Sequence, residues 1–556
     1  MKLNVTLRSL LMAAVCTSVG LPAMAKEPGA LSNIYLPDFS YAGYEYGEKQ
    51  PDTKGWKVIH VNDHGLLPND NEDDTVALLA LLDSLKKQSQ PVIVQFGKGR
   101  YILSEIIRIQ RSNIVLRGSG QSTTELYFPR PLELVKFPEE LRELSEYLVK
   151  QNKYERRPKD NMHMLFSNWS WSGGFLWTGV EGERIKSYLK EYDRKVKPLA
   201  KLTSGGKDDF TFTVDSAKQL KVGDIVRINW YNREGKGGSL IPELYGDPTD
   251  IEIGSHHWNF PDMALIRQHT KITGISGNKV TIKTPLLHAA DPRWQPDITE
   301  WKHISNVGFE HFTINFPIHP WVAHHVEPGF NGMFLTRTHN GWVKDITIHN
   351  ADSGILTENA ANLTIENVTT TAHEENALAH YSVQTGGVSL VLVKNLTVAN
   401  PMWHSISANT FGNKNVYVNS RILVDPYIDQ HGGANHENLF DNTEAYITLD
   451  EDLADQQGYY SYPLFTAGGA PYWRPQHGKY NTLWNTKLYF SNGAGSDKPV
   501  VIDGMKSTSE GRIIGLSGNL PIKLKYNDIT YKELINGEVT GVPSLYHYQL
   551  NKRLKN

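Results

Sequence analysis

The stretches VKDITI (343–348) and VKNLTV (393–398) share one pattern of apolar, polar, polar, apolar, polar and apolar residues. Similar copies are FEHFTI (309–314), IENVTT (365–370) and a looser VNSRIL (418–423), and the five copies start 34, 22, 28 and 25 residues apart. Alternation within a copy is typical of a β-strand, and recurrence at this spacing indicates a solenoid. Because no helical periodicity separates the copies, each coil is expected to consist of strands and turns. The repeats therefore predict an all-β parallel β-helix.

Asparagines recur before several of these copies. Asparagine tolerates a left-handed backbone and can stack as a ladder at the corners of successive coils. We therefore interpret these residues as turn and ladder residues, and the NLT, NVT and NLT triplets at 362, 367 and 395 as parts of strands and turns. The asparagines concerned are Asn306, Asn340, Asn362 and Asn415.

The N-terminal region adds a second indication of the fold. The stretch at 58–85 contains Asp73-Asp74-Thr75 before an apolar helical segment, and the stretch at 91–120 contains Gly97, Gly99 and Tyr101. These features resemble the opening of the pectate-lyase-like superfamily of right-handed parallel β-helix proteins. The resemblance covers residues 56–120 and, through the repeats, 300–450. It implies a right-handed parallel β-helix with an N-terminal capping helix, but not one reaction, since that superfamily includes lyases, hydrolases, isomerising enzymes and phage adhesins.

The region between the two solenoid stretches has a different pattern. Residues 138–157 have helix-like charge patterning, whereas 210–232 and 269–286 alternate as strands do. We expect an inserted small α+β subdomain made of a helix and an antiparallel β unit. The predicted organisation is a signal peptide (1–25), an N-terminal cap and first coils (26–130), the insertion (131–300), the main β-helix (301–515) and a C-terminal cap (516–556).

The first 25 residues predict a cleavable signal peptide. Lys2 and Arg8 precede an apolar run, and Ala23-Met24-Ala25 matches a signal-peptidase site. The single cysteine, Cys16, lies inside this segment, so neither disulfides nor thiol catalysis are expected in the mature chain. The net charge of −3 shows no basic bias, and no nucleotide motif or membrane-length apolar segment occurs. We therefore predict a secreted or periplasmic protein that does not bind nucleic acid or nucleotides and does not span a membrane.

Histidines are concentrated in the repeat region, where 12 of the 21 lie between positions 303 and 436. If Ile355, Val383 and Ile406 are equivalent inward positions, then His380-Tyr381 and Trp403-His404 lie on successive coils near one corner. His431 then follows on the next coil. Adjacent coils are about 5 Å apart, so these groups would span a sugar unit. The alternative is that they form a stacked ladder inside the turns.

Two reactions suit such a face, and we favour β-elimination on an acidic, uronic-acid-containing polysaccharide. Elimination needs a base for the C5 proton, a donor for the leaving oxygen and a group that neutralises the carboxylate. We expect His404 and Tyr381 to transfer protons, with the other catalytic candidates orienting or neutralising. No cofactor is assigned, although a Ca²⁺ ion is one candidate neutraliser. The other catalytic candidates are His380, His431 and Arg337, and the substrate-binding candidates are Trp403, Asn409, His436, Trp473 and Arg474.

Two alternatives remain open at this point. One is a glycoside hydrolase that uses paired carboxylates, although the chain has no Gly-His-Gly and its repeat region has no Arg-x-Lys, two elements of β-helix polygalacturonases. The other is a non-catalytic glycan-binding β-helix of the adhesin type. The carboxylates available to a hydrolase are Asp352, Glu358, Asp425, Asp429 and Glu437.

Overall fold

The computed structural model describes residues 29–152, 166–184, 196–246, 252–253, 258–321, 323–373, 378–450, 453–468, 477–492, 498–504 and 510–555. Over these residues the chain forms a right-handed parallel β-helix with two long parallel sheets. The predicted fold class is therefore confirmed. Right-handed coiling is the expected hand for parallel strands joined by crossovers.

The strands and helices are numbered along the chain. The first coils contain β1 (Lys57–His60), β2 (Val92–Gln95), β3 (Gly99–Ile102), β4 (Ile107–Ile109), β5 (Ile114–Arg117), β6 (Thr124–Tyr127) and β7 (Leu176–Thr178). The inserted unit contains β8 (Ala200–Ser204), β9 (Thr211–Val214), β10 (Ile225–Tyr231), β11 (Ala264–Ser276), β12 (Lys279–Ile282) and β13 (Asp297–Glu300). The helices are α1 (Ala30–Asn33), α2 (Thr75–Leu85), α3 (Arg142–Asn152), α4 (Leu240–Tyr245) and α5 (Leu545–Lys555).

The remaining strands belong to the main solenoid and its C-terminal end. They are β14 (Ile304–Ser305), β15 (Val307–Asn315), β16 (Asn331–Thr336), β17 (Thr338–His339), β18 (Trp342–His349), β19 (Ser353–Glu358), β20 (Thr364–Thr371), β21 (Ala379–Thr385), β22 (Leu392–Lys394), β23 (Thr397–Val398), β24 (Met402–Ala408), β25 (Val416–Val418), β26 (Arg421–Ile422), β27 (Ile428–Gln430), β28 (Leu439–Asp441), β29 (Glu444–Thr448), β30 (Ser461–Tyr462), β31 (Phe465–Thr466), β32 (Thr482–Ser491), β33 (Val500–Asp503), β34 (Arg512–Gly518), β35 (Ile522–Lys525) and β36 (Tyr531–Ile535).

The sequence repeats coincide with the strands of the larger sheet. Phe309 pairs with Val343, Val343 with Ile365, and Ile365 with Val393, as the aligned copies predict. The fifth copy was placed one residue late, because Val393 pairs with Tyr417 rather than with position 418. Between successive copies the chain crosses to an eight-stranded parallel sheet in the order β4-β7-β16-β19-β21-β24-β27-β31. We call this second sheet the site sheet, since the candidate site lies on it.

Two asparagine ladders run along the solenoid. One joins Asn395 to Asn367 at 2.9 Å and Asn442 to Asn419 at 2.8 Å, and all four residues have a positive φ. The second ladder is fully buried and joins Asn415, Asn438 and Asn481. Three of the four predicted turn residues also have a positive φ, namely Asn306, Asn340 and Asn362. At the fourth, Asn415, the positive φ belongs to the preceding residue, Lys414. Each ladder provides hydrogen-bond partners for asparagine side-chain amides that are shielded from water at the turns.

The N-terminal helix α2 buries its leucine face against the first coils, as the resemblance implied. Leu78, Leu81, Leu82 and Leu85 belong to the same apolar core as the first solenoid strands. The helix start is held by Asp73, whose carboxylate accepts a hydrogen bond from the Thr75 N–H at 2.9 Å.

The insertion contains a closed, six-stranded antiparallel barrel formed by β8 to β13. Its apolar core includes Phe411 and Ala434 of the solenoid, so the barrel packs on the turns that follow β24 and β27. The predicted boundaries of the insertion need one correction, because β7 lies within 131–300 yet pairs with β4 and β16 in the site sheet.

The C-terminal segment differs from the predicted cap. β34 and β36 pair in parallel, so the solenoid continues past position 516 to 535. Helix α5 then packs through Leu545 and Tyr546 against residues of several coils, including Val416 and Trp484. It therefore covers the side of the solenoid rather than its end. None of the helices in the described ranges combines the length and apolarity needed to cross a lipid bilayer.

Candidate functional site

Three neighbouring strands of the site sheet carry the predicted residues. Tyr381 on β21 pairs in register with His404 on β24, and Ser407 on β24 pairs with Asp429 on β27. The predicted equivalence of Ile355, Val383 and Ile406 is correct, since these residues pair in register. Parallel register therefore brings together side chains that are more than 20 positions apart in the sequence.

The aromatic rings form a stack at this place. The Tyr381 ring stacks on His404 with centroids 4.8 Å apart and on His380 with centroids 4.1 Å apart. The His431 ring meets His404 edge-on at 5.2 Å. The histidine and tyrosine residues predicted for proton transfer are thus in direct contact.

Asp429 is the buried anion of this cluster. Its Oδ2 lies 3.1 Å from His404 Nδ1 and 3.0 Å from His431 Nδ1, and it accepts a hydrogen bond from the Ser407 hydroxyl at 2.7 Å. Its Oδ1 accepts the Gly468 N–H at 2.9 Å. Burial alone would raise the pKa of this carboxyl, but the two histidines beside it lower it below the ordinary value. Asp429 therefore remains ionised. It forms a hydrogen bond with His431 Nδ1, whereas His404 Nδ1 lies close enough for its charge to attract a proton there but outside hydrogen-bond geometry.

His404 and Tyr381 differ in what surrounds their reactive atoms. Among the described residues, the Nε2 of His404 is buried and has no hydrogen-bond partner. The Tyr381 hydroxyl lies 3.5 Å from the Asn409 amide, which matches the predicted proximity of Asn409. Burial raises the pKa of Tyr381 well above its usual value, and the charge of Asp429 adds to this shift. The phenol is therefore protonated at neutral pH.

A loop at 323–327 brings a second group of residues to the stack. His324 Nε2 lies 3.0 Å from His380 Nε2, and the Glu327 carboxylate lies 3.1 Å from His380 Nδ1. Glu327 also accepts the Ser170 hydroxyl at 2.6 Å. This contact is not predictable from the sequence, because His324 and His325 have no partner at metal-ligand spacing. Only the long-range folding of this loop over β21 brings the three histidines together.

Aromatic side chains enclose this second group. Trp171 and Phe166 meet the His325 ring edge-on at 5.1 and 5.2 Å, so these two side chains form a wall of the cluster. Trp403 stacks on the His324 ring at 5.0 Å and is 46% exposed. The cluster is therefore mostly buried, with Trp403 on its solvent side.

Burial determines the charge of these histidines. It lowers the pKa of His324 and His380 well below the ordinary value, and it lowers the pKa of His325 to about 3. Repulsion between neighbouring imidazoles adds to each shift. All three rings are therefore neutral at pH 7, and their lone pairs can accept a proton or bind a metal ion.

Arg337 was predicted to orient or neutralise the substrate, but it does not join this cluster. Its guanidinium lies 3.4 Å from the Glu183 carboxylate and donates to the Arg184 carbonyl at 3.1 Å. Asn331 pairs with Ser353, and Ser353 pairs with Tyr381, so these three residues lie side by side across the site sheet. Arg337 lies six positions beyond Asn331, just after the end of β16. Six positions of a strand correspond to about 20 Å. Arg337 is therefore too far from Tyr381 to orient or neutralise a substrate there, and this prediction is wrong.

His436 was predicted to bind substrate, and the structure contradicts this. Its Nε2 lies 3.2 Å from His288 Nε2 of the inserted unit, and the residue is only 2% exposed. The barrel covers this turn, so His436 is part of an internal interface. Trp473 and Arg474, the remaining substrate-binding candidates, lie outside the described residues.

The carboxylates of the hydrolase alternative are dispersed. Of the five, Asp429 lies in the cluster, while Asp352 is 3.0 Å from His319 and Glu437 is 2.5 Å from Lys207. The cluster does contain a second acid that the sequence interpretation did not select, Glu327, whose pKa is raised by burial. The carboxylate signal was missed because Glu327 lies in a loop without a recognisable motif.

A cavity of about 680 Å³ lies elsewhere, along the larger sheet. Its lining includes Arg100, Glu125, His349 and His373. Because it borders β3, β6, β15 and β18 rather than the site sheet, it is a separate surface from the histidine cluster.

Comparisons with known proteins give structural similarity only. No protein-family model matches the chain, and no curated protein sequence matches it significantly. The tailspike protein gp49 from Pseudomonas phage LKA1 matches with a TM-score of 0.46 and 13% identity, over 86% of this chain and 79% of that chain. The A-module of mannuronan C-5 epimerase AlgE6 from Azotobacter vinelandii matches with a TM-score of 0.37 and 11% identity, over 85% and 91%. The family 28 exopolygalacturonase of Yersinia enterocolitica matches with a TM-score of 0.31 and 9% identity, over 87% and 79%. At these identities the chemistry has to be argued from the residues of this chain.

Proposed function

We propose that this protein is a polysaccharide lyase that cleaves an acidic, uronic-acid-containing glycan by β-elimination. The observation that carries the proposal is the stack of Tyr381 on His404, with Asp429 beside the Nδ1 of His404. This arrangement offers a base and an acid side by side, which elimination across adjacent carbons requires.

His404 is the proposed base. With Asp429 favouring the proton on Nδ1, the buried Nε2 retains its lone pair and has no competing partner among the described residues. It removes the C5 proton of the uronate, and the imidazolium that forms is stabilised by the Asp429 charge. A positioned base of this kind contributes about 10²–10⁴ in rate.

Tyr381 is the proposed acid. A phenol has an ordinary pKa of about 10, and burial raises the pKa of Tyr381 further, so the hydroxyl carries its proton when the glycosidic oxygen leaves. The electron pair of the C5–H bond forms the C4–C5 double bond, the C4–O bond breaks, and Tyr381 protonates the departing oxygen. His380 stacks on the same ring and positions it.

Trp403 is the proposed contact for the sugar face. Its ring is exposed beside the cluster, and an indole gives a flat apolar surface on which a pyranose can stack. Asn409, next to the Tyr381 hydroxyl, is the proposed hydrogen-bond donor to the substrate carboxylate.

The test is an assay with alginate, pectate, glucuronan and glycosaminoglycans. We expect ultraviolet absorbance of an unsaturated uronate with at least one of them, and its loss in His404→Ala and Tyr381→Phe. Tyr427→Phe is the matched control, because this ring also contacts His404, with centroids 6.0 Å apart, yet has no proposed role. Reducing ends without the absorbance would support a hydrolase instead, and unchanged rates in both variants would overturn the site assignment.

A second candidate function, glycan binding without cleavage, is favoured by the cavity along the larger sheet. Its polar lining, which includes Arg100 and His349, offers hydrogen-bond donors to an anionic sugar. Retention of the same glycans without any product, together with weaker retention by Arg100→Ala, would support this function over the lyase.

Secretion is part of the proposal. The predicted signal peptide lies outside the described residues, and an extracellular or periplasmic location gives access to polysaccharide. N-terminal sequencing of the exported protein would identify the cleavage site after Ala25.

A further inference from the structure

The loop at 323–327 and strand β21 form a second, nitrogen-rich group within the cluster. One nitrogen from each of His324, His325 and His380 lies within 4.8 Å of the others. We propose that these three histidines bind a transition-metal ion of the zinc type, which, if the lyase proposal holds, neutralises the substrate carboxylate.

The spacing of the nitrogens supports a shared ion. His324 Nε2 and His380 Nε2 are 3.0 Å apart. Two nitrogens bound to a tetrahedral zinc ion at about 2.0–2.1 Å lie roughly 3.3 Å apart, so a small shift would accommodate the metal.

The surroundings of His380 match those of a metal ligand. Its Nδ1 lies 3.1 Å from the Glu327 carboxylate, close enough for an electrostatic contact though outside hydrogen-bond geometry, and the other oxygen of Glu327 accepts the Ser170 hydroxyl. A carboxylate on the far nitrogen of a histidine fixes its tautomer and strengthens it as a ligand, and this is the usual arrangement around ligating histidines. Glu327 has this position without being a ligand itself.

The backbone of the loop is also constrained. His325 has a φ of 71°, a left-handed conformation that residues with a β-carbon rarely adopt. This conformation places two consecutive imidazoles beside His380, with the rings of His324 and His325 3.8 Å apart. Aromatic residues Phe166 and Trp171 then shield His325.

The ligand chemistry selects the ion. Calcium prefers six to eight oxygen ligands, so the calcium ion considered from the sequence does not suit this group. Imidazole suits zinc, copper, nickel and iron. Three histidines leave a fourth tetrahedral position for water or a carboxylate. A zinc ion held there would supply the positive charge that Arg337 is too distant to provide.

The neighbouring group of His404, Asp429 and His431 also has the spacing of a metal site. We assign the ion to the first group because both oxygens of Asp429 already accept hydrogen bonds from Ser407 and Gly468. A metal bound to Asp429 would displace the contacts that hold His404 and His431.

The test uses the full-length mature protein, stripped with a chelator and dialysed against ZnCl₂, with zinc counted by elemental analysis and affinity measured by calorimetry. We expect about one zinc per chain, and loss of binding in His324→Ala and in His380→Phe, which keeps an aromatic ring stacked on Tyr381. Glu327→Gln should weaken zinc binding by about 10–100-fold. Replacing zinc by Co²⁺ should give the visible absorption of a tetrahedral complex.

Two controls identify the group that binds. His311→Ala removes a histidine paired with Asp345 on the larger sheet and should leave zinc binding unchanged. His431→Ala should also retain zinc. Loss of zinc in His431→Ala but not in His324→Ala, or no zinc in the wild type, would overturn the assignment.

Binding is measured without substrate, so this test is independent of the lyase assay. Zinc binding without any unsaturated product would leave the metal site standing and refute the lyase proposal. A full elimination rate after removal of the metal would refute the neutralising role.

Discussion

Asp429 Oδ2 lies between two histidines, 3.1 Å from His404 Nδ1 and 3.0 Å from His431 Nδ1. One buried carboxylate therefore lies beside the imidazoles of two successive coils. The first prediction concerns this carboxylate. Asp429→Asn should lower kcat by about 10²–10⁴ with little change in KM, because the amide no longer selects the Nδ1 proton of His404.

Steady-state kinetics on the cleaved glycan measure this effect. Asp425→Asn is the matched control, since Asp425 lies on the preceding turn and the Ser405 hydroxyl donates to its backbone carbonyl. An Asp429→Asn enzyme that is folded by circular dichroism and retains its kcat would show that His404 does not depend on Asp429.

The second prediction concerns Trp403, which is 46% exposed and stacks on His324. Trp403→Ala should raise KM by about 2–10-fold, which corresponds to the 0.5–1.5 kcal/mol of an aromatic contact. The kcat should change little, because the indole does not contact the atoms proposed to transfer protons. Trp403→Phe should recover part of the affinity, whereas an equal loss in both variants would argue against stacking.

The third prediction concerns the half-buried asparagine ladder that includes Asn367 and Asn395. Asn395 has a φ of 55° and donates to Asn367 at 2.9 Å. Asn395→Ala loses the hydrogen bonds and puts alanine, which tolerates a left-handed backbone less well than asparagine, at this position, so we expect a loss of about 2–3 kcal/mol in the free energy of unfolding.

Asn395→Gly separates the two causes. Glycine adopts the left-handed conformation without strain, so it should destabilise the fold less than alanine does. Chemical denaturation of both variants gives the comparison, and equal losses would show that the side-chain hydrogen bonds dominate.

The fourth prediction concerns Asp441, which holds helix α5 to the solenoid. Its carboxyl is buried, and it accepts the Ser544 hydroxyl at 2.6 Å and the Tyr546 N–H at 2.9 Å. Burial raises the pKa of Asp441 to about 7, although these hydrogen bonds oppose the shift. The ordinary value in an unfolded chain is about 3.9.

The folded state therefore binds the Asp441 proton more tightly than the unfolded state does. Its stabilising contribution is fully present below about pH 4 and is lost as the pH rises towards 7. Denaturation midpoints measured between pH 4 and 8 should fall more in the wild type than in Asp441→Asn, which carries no titrating group there. Parallel pH profiles of the two proteins would contradict this assignment.

The fold was predictable because its information is local and repeated. Alternation in segments such as 343–348 and 393–398 predicts strands, and their recurrence predicts the register by which Val343, Ile365 and Val393 pair. The looser copy at 418 was misplaced by one residue because one short strand gives little periodicity. The approximate position of Tyr381 and His404 followed from the same register.

The rest of the site depended on contacts that no repeat encodes. His324 and Glu327 reach His380 from a loop more than 50 positions earlier in the chain. His436 was hidden by a barrel whose position on the solenoid could not be inferred from its own strands. Arg337 follows a strand of the site sheet, but its place along that strand puts it near Glu183 instead.

The sequence by itself determined the solenoid, since side-chain alternation and coil length are properties of each short segment. It also predicted that the pairs His380-Tyr381 and Trp403-His404 lie on successive coils, and the structure shows that Tyr381 pairs in register with His404. Only the tertiary structure decided which groups surround them, how deeply they are buried and which tautomer Asp429 favours. Those properties arise because loops and the inserted barrel contact the coils from distant parts of the sequence. The geometry of such contacts depends on packing and desolvation, not on local periodicity.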